Sequence, residues 1–295
     1  MAPSSRWPSR SRDNGPSLHA YLDAEKPARF IARLNDHFGD TRVKDLTPEA
    51  IRQASRRIYP SATPATRNRQ VIKPVQAAIN HCAALGLCNR ISIPRFAEVP
   101  RKKVPADLNW VRAFCDQAQL DGLPHLAALC VFMFGTAARV GEATALTWTD
   151  VDLPSGKAII RMGKPTPWER TAHLPPEVVA ALANIPSNRR PADEVFGYAG
   201  RGSVTKVWNA TAARAAIAPL TPHCCRHGFA TAMLHMGYDP KTVAERGGWK
   251  DATTVLRTYA HAMSDPTVTD RLFDPELTHG SGRGPVSSSQ KKGIL

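Results

Sequence analysis

Residues 222–232 read PHCCRHGFATA and residues 256–262 read LRTYAHA. His223 and Arg226 are three apart, so a helix puts them on one face. Arg226 offers a planar fork that fits two oxygens of a phosphate. His223 can gain or lose a proton near neutral pH. Tyr259 follows 33 residues after Arg226. A free phenol titrates at about 10, so a nucleophilic tyrosine needs cations nearby. Further back, residues 135–147 read GTAARVGEATALT and hold Arg139 and Glu142. Gly135 is read as an interruption between two helices. Arg139 then stands at a helix start, where free N–H groups favour an anion, and Glu142 can orient it from the next turn. A tyrosine, two arginines and a histidine suffice to break a phosphodiester without a metal. The phenol attacks phosphorus, guanidinium groups hold the oxygens, and imidazole moves a proton.

Each of these signals alone has an ordinary structural reading. An Arg–Glu pair on a helix is usually a surface ion pair. An HxxR spacing arises by chance, and a lone helical tyrosine usually packs. His227 and the cysteines beside it are read as packing residues.

The composition narrows the partners. The chain of 295 residues is long enough for two domains, and its 42% hydrophobic content supports packed cores. The net charge is +14, which favours a polyanionic partner, nucleic acid first. Residues 1–105 hold 19 basic against 8 acidic residues, while the rest holds 20 against 17. The front thus reads as a general DNA grip and the back as the chemistry. The six cysteines, Cys82, Cys88, Cys115, Cys130, Cys224 and Cys225, form no CxxC pair and no zinc-spaced cluster. Reduced thiols in the cytoplasm are expected. No signal peptide is read in residues 1–17, and the apolar run Leu126–Phe134 is too short to span a bilayer. Neither a membrane, a small-molecule substrate nor a cofactor is expected.

The periodicity predicts a mainly α chain with one small three-stranded antiparallel sheet. Residues 1–17 and 277–295 are expected to be disordered, 18–96 helical, 97–107 a basic linker, and 108–276 a second domain. In the front, Leu18, Tyr21 and Leu22 open one stretch, and Phe30, Ile31, Leu34 and Phe38 share a face. Thr47-Pro48 opens a helix over 51–59, and one helix is expected over 63–87. In the back, helices are expected at 123–134, 140–146, 175–185, 203–216, 222–236, 239–246 and 251–261. Strands are expected at 150–153, 157–161 and 170–174, with a tight turn at Pro154-Ser155-Gly156.

Taken in order, the chain shows Arg-x-x-Glu after a helix break, a strand segment with a lysine hairpin, HxxRH, Gly-Gly-Trp, and Tyr-Ala-His. This arrangement resembles the tyrosine recombinase (phage integrase) family over about residues 120–262. Residues 18–96 are more loosely similar to that family's helical core-binding domain. The resemblance implies a two-domain clamp on double-stranded DNA and a site-specific recombinase acting through a 3′-phosphotyrosyl intermediate. Arg139 and Arg226 are then the catalytic arginines, with Glu142 the acidic neighbour and His223 the partner of Arg226. Trp249 stands where the family has His or Trp, and Tyr259 is the nucleophile. Lys164 is implied as the hairpin lysine that protonates the leaving 5′-oxygen, and His223 as the group assisting proton transfer with Tyr259. A homotetramer on DNA is implied by exchange between two duplexes. The chain departs from the family's pattern at Cys224-Cys225, at Gly228, where threonine is common, and at Pro165 and Pro167 after Lys164. Lys157 competes with Lys164 for the lysine role. Arg67, Arg69, Lys73, Lys206 and Arg214 are candidate DNA contacts. A type IB topoisomerase and a DNA-binding protein without catalysis are the alternative readings.

Overall fold

A computed structural model describes residues 31–38, 41, 43–86, 88–99, 104–162, 168–187 and 189–259. The expected tails, the stretch opening at Leu18, Lys164 with its two prolines, and the segment after Tyr259 lie outside the described residues. The chain divides into two compact units between Arg101 and Lys102.

In the first unit, helices α1 (Ile31–Phe38), α2 (Pro48–Ile58), α3 (Pro64–Arg67) and α4 (Lys73–Ala84) follow one another. Their starts are written in the sequence. Thr47 Oγ1 accepts the Ala50 N–H at 3.2 Å, and Thr63 Oγ1 accepts the Thr66 N–H at 3.3 Å. The single helix expected over 63–87 instead carries a π-helical turn, Asn68–Ile72, between α3 and α4. The reason lies in Asn68, which is fully buried at this turn. Its Nδ2 donates to Phe96 O at 2.9 Å and Glu98 Oε1 at 2.7 Å, and its Oδ1 accepts the Phe96 N–H at 2.9 Å. The extended segment after α4 is thereby tied to the unit, and Ile93 joins Leu34, Ile51, Val71, Ile72 and Val75 in the core.

The second unit opens with α5 (Leu108–Leu120), which was not anticipated. Asp107 caps it, accepting the Trp110 N–H at 2.7 Å. Trp110, Phe114 and Trp208 stack in the core beneath it. Helix α6 (Pro124–Thr136) is the centre of the unit, with Leu126, Leu129, Phe132 and Met133 buried. Contrary to expectation, Gly135 does not interrupt it. The helix runs through Gly135 and ends one residue later, where Ala137 turns left-handed at φ 58°. A Cβ on Gly135 would lie 2.5 Å from Val178 Cγ2, so this glycine lets α6 press against α8 (Pro176–Ala183).

Helix α7 (Val140–Thr144) follows, and then the sheet: β1 (Val151–Asp152), β2 (Lys157–Met162) and β3 (Trp168–His173), antiparallel in that order. Ile160 stands opposite Arg170. The expected three strands are present with ends shifted by one or two residues. Lys157, the competitor for the lysine role, pairs with Asp152 and His173 at the far end of the hairpin from Met162 and Trp168. Helices α9 (Arg201–Arg214), α10 (Cys224–His235), α11 (Pro240–Gly247) and α12 (Ala252–Tyr259) complete the described chain. No described helix is long and apolar enough to cross a membrane.

Gly228 on α10 has a packing cause. A Cβ there would lie 2.2 Å from Ala106 O and 2.7 Å from the Phe134 ring. Ala106 is held in place by its N–H bond to Cys224 O at 3.1 Å. Alanine at 228 gains about 1 kcal/mol of helix propensity. Overpacking against a fixed carbonyl costs about 3 kcal/mol. Gly228→Ala is therefore expected to lose about 2 kcal/mol in chemical denaturation. Unchanged stability would contradict this packing.

Candidate active site

The site gathers where two helices end. The last carbonyls of a helix have no partner within it and carry partial negative charge. At the end of α6, Thr136 O and Ala137 O point outward. At the end of α11, Arg246 O, Gly247 O and Gly248 O do the same, and Gly248 turns left-handed at φ 67°. Arg226, from the first turn of α10, answers both ends. Its Nη1 donates to Ala137 O and Gly247 O, each at 2.6 Å, and its Nη2 donates to Gly248 O at 3.2 Å. Trp249 covers the guanidinium face, with 3.7 Å from Cζ to the ring centre.

A second arginine, not anticipated, joins the same two ends. Arg170 on β3 donates through Nη2 to Thr136 O at 2.5 Å and through Nη1 to Arg246 O at 2.9 Å. Its Nε is buried and makes no hydrogen bond. The sequence carried a usable signal. Arg170 lies two residues from buried Ala172, hence on the inward face of β3. Gly248 must stay small beneath it, because a Cβ there would meet Arg170 Nε at 2.7 Å and the Trp168 ring at 2.9 Å.

Arg139 caps α7 beside these two. Glu142 Oε1 accepts from its Nη1 at 2.5 Å, and Oε2 accepts its backbone N–H at 2.9 Å. The Arg139 side chain is 40% exposed while the Glu142 carboxylate is 7% exposed. Glu142 pairs with Arg139 and acts on Arg170 and Arg226 only through its charge, so positive charge is in surplus here, which suits an anion. The crowding shows in their titration. Burial pushes Arg226 down to about 9, with Arg139 and Arg170 adding to the effect and Glu142 and Tyr259 opposing it. Burial, and then Arg139, push Arg170 down to about 10 against the pull of Glu142. Both stay charged at neutral pH.

Tyr259 closes α12 and is 3% exposed. Trp249 lies edge-on to it at 6.0 Å. Its hydroxyl meets His227, with 2.5 Å between Oη and Nδ1. The expectation that His227 only packs is therefore corrected: α10 turns its ring onto the phenol. His223, one helical turn earlier, lies perpendicular to His227 at 4.6 Å between ring centres. Burial raises the Tyr259 phenol to about 12, with Arg226 pulling the other way. A phenol in unfolded chain titrates at about 10. The folded state therefore holds this proton more tightly, a stabilisation that is complete below pH 10 and lost as pH rises to about 12. An ultraviolet titration of wild type minus Tyr259→Phe is expected to show a midpoint near 12, and a midpoint near 10 would contradict the burial.

The candidate DNA contacts divide. Arg69, Lys73 and Lys206 are exposed. Arg67 is committed to its own backbone, donating to Tyr59 O at 3.1 Å and Pro60 O at 2.6 Å. Arg214 closes its fork on Asp121, at 2.9 and 2.5 Å, which holds that carboxyl down at about 2. Nothing local in the sequence betrays either commitment.

Known proteins share this architecture. The Tn1549 transposon integrase in complex with a circular intermediate DNA aligns with a TM-score of 0.66 at 18% identity, over 86% of this chain and 93% of that one. A lambda integrase tetramer bound to a Holliday junction aligns at 0.64 with 15% identity, over 86% of this chain and 80% of that one. At such identities the likeness is one of fold. Tyrosine recombinase XerD of Bifidobacterium longum is 33% identical over 159 residues, 48% of this chain and 51% of that protein. The chain spans about half the length of several curated relatives that it matches. Residues 108–265, more than half of the chain, match the phage integrase family. Arg139, Arg170, Arg226, Trp249 and Tyr259 all stand within that match, and the chain belongs to the phage integrase family.

Proposed function

We propose that this protein is a site-specific DNA recombinase that cuts and rejoins duplex DNA through a 3′-phosphotyrosyl bond on Tyr259. The observation that carries the reading is the gathering of Arg139, Arg170 and Arg226 at the ends of α6 and α11, with Trp249 between them and Tyr259: its ring centre lies 3.7 Å from Arg226 Cζ and 6.0 Å from the Tyr259 ring centre. Such a cluster is built to receive a phosphate as negative charge grows on its oxygens. Arg139 and Arg226 hold the non-bridging oxygens, His223 completes the Arg226 pair, and Trp249 packs on the scissile phosphate. Lys164, outside the described residues, protonates the leaving 5′-oxygen. Attack by a 5′-hydroxyl from another strand reverses the step and reseals DNA. One phosphoester replaces another, so the exchange needs neither nucleotide nor metal. Exchange between two duplexes calls for four protomers, the number named in the lambda integrase complex bound to a Holliday junction. Residues 18–96 supply further grip on the duplex.

The test begins with a duplex that the full chain selects from a random pool. A nick is then placed near the cut, so that the short leaving strand diffuses away. Wild type is expected to form a denaturation-resistant protein–DNA adduct, and Tyr259→Phe none. An adduct that survives in the Phe variant removes Tyr259 as nucleophile. No adduct on DNA that the protein binds would make it a binding protein.

Exposure also separates the DNA contacts. Replacing Arg69 and Lys73 together by alanine is expected to flatten the plot of log affinity against log salt by about 2. Arg67→Ala is expected to leave that slope alone and to lower stability instead. Equal slopes for wild type and the double variant would remove Arg69 and Lys73 from the interface.

A further inference from the structure

Tyr259 needs a proton acceptor before it can attack. Tyr259 is buried at 3% exposure and shares an apolar cluster with Val255, Val243 and Ala244. A phenolate there lacks water to stabilise it. The family resemblance pointed to His223 for this proton. The ring placed at the hydroxyl is His227, 2.5 Å away through Nδ1, at 58° to the phenol plane. His223 touches the pair edge-on through His227, and Arg226 approaches from the same helix.

We propose that His227 is the general base for Tyr259, a catalytic residue additional to the arginines, His223, Trp249 and Lys164. The inference rests on the recombinase reading above. With the ring proton on Nε2, Nδ1 accepts the phenol O–H hydrogen bond. In cleavage, Nδ1 takes that proton as the bond from Oη to phosphorus forms. The bond from phosphorus to the 5′-oxygen breaks, and this oxygen leaves with a proton from Lys164. His227 is then an imidazolium. In rejoining, the incoming 5′-hydroxyl passes its proton to the Lys164 amine as it attacks phosphorus. Tyr259 departs and regains its proton from His227.

The test uses the full chain, the selected nicked duplex and single-turnover adduct formation at saturating protein. Asparagine at 227 offers an amide oxygen where Nδ1 stood, so it can accept the phenol hydrogen bond but cannot take the proton. His227→Asn is expected to form adduct about 100-fold more slowly at neutral pH, with the deficit narrowing as pH rises. A 5′-bridging sulfur, which leaves without an acid, is expected not to restore it. A His227→Asn rate equal to wild type overturns the inference, and so does full rescue by sulfur, which would put His227 at the leaving oxygen. Should that variant fail to fold, the pH–rate profiles of wild type and His223→Asn decide. An acid limb that persists in His223→Asn supports His227 as the base, and one that disappears assigns the base to His223. Loss of the wild-type adduct, or its survival in Tyr259→Phe, fells the recombinase reading itself and is seen in separate arms of the same assay.

Discussion

Arg226→Lys is expected to slow adduct formation by about 100- to 1000-fold, the usual loss when one charge-stabilising donor leaves a transition state. The guanidinium does two things that an ammonium cannot do together. It spans Ala137 O, Gly247 O and Gly248 O from one plane, and it lies flat under Trp249. Lysine can satisfy part of the carbonyl set, but it leaves the remainder buried and unpaired. It also sheds its charge more easily when buried. Arg226 is itself a strained occupant, since burial already pushes it down to about 9. A buried lysine that gives up its proton relieves that cost, which offsets part of the lost bonding. The net fall in stability is therefore expected to be about 2 kcal/mol, well short of three full charged hydrogen bonds. Chemical denaturation measures the second effect and the nicked duplex the first. A lysine variant that forms adduct at the wild-type rate would refute this account of the site.

Arg170→Ala separates stability from activity more sharply. Two carbonyls lose their donor, Thr136 O and Arg246 O. Against that, a buried cation leaves a neighbourhood that also holds Arg139 and Arg226. The two effects nearly cancel, and a stability loss of about 1 kcal/mol is expected. Activity has no such compensation. Arg170 helps fix the end of α6, which leads into Arg139, to the end of α11, which leads into Trp249. A shift of about 1 Å between catalytic groups costs about 100-fold. Arg170→Ala is thus expected to keep its affinity for the selected duplex while the adduct rate falls about 10- to 100-fold. Weakened binding with an unchanged single-turnover rate would show Arg170 to be an ordinary phosphate contact.

What could be read from the sequence was what depends on near neighbours. Thr47, Thr63 and Asp239 mark helix starts because a cap bonds to residues two or three away. The three strands follow from periodicity, with ends off by one or two residues. Helix α5 was readable in principle, since Trp110, Val111, Phe114 and Ala118 line one side of it. The proline- and lysine-rich stretch before it hides its start, because a linker over 97–107 absorbs the Asp107 cap. Gly135 misled for another reason. Its meaning is a contact with Val178, 43 residues on, and a glycine demanded by packing looks the same as one demanded by a break. Asn68 shaped its helix through Phe96 and Glu98 in the same non-local way. The site shows the same divide. Arg226 lies under Trp249, Trp249 lies edge-on to Tyr259, and Arg139 sits near Arg226. His227 was dismissed because its partner lies 32 residues away, and Arg214 was overvalued because Asp121 lies 93 residues away.

Tyr259 at 3% exposure has a consequence for accuracy. On the recombinase proposal the protein would pass an immense number of phosphates, every one a possible target for a loose phenol. Here the phenol is stowed, while the Arg139 side chain is 40% exposed. Val255 and Tyr259 pack with Val243 and Ala244, and this packing holds α12 in place with the hydroxyl on His227. If Tyr259 is the nucleophile proposed above, fidelity resides in the placing of this one side chain as much as in the recognition of the target.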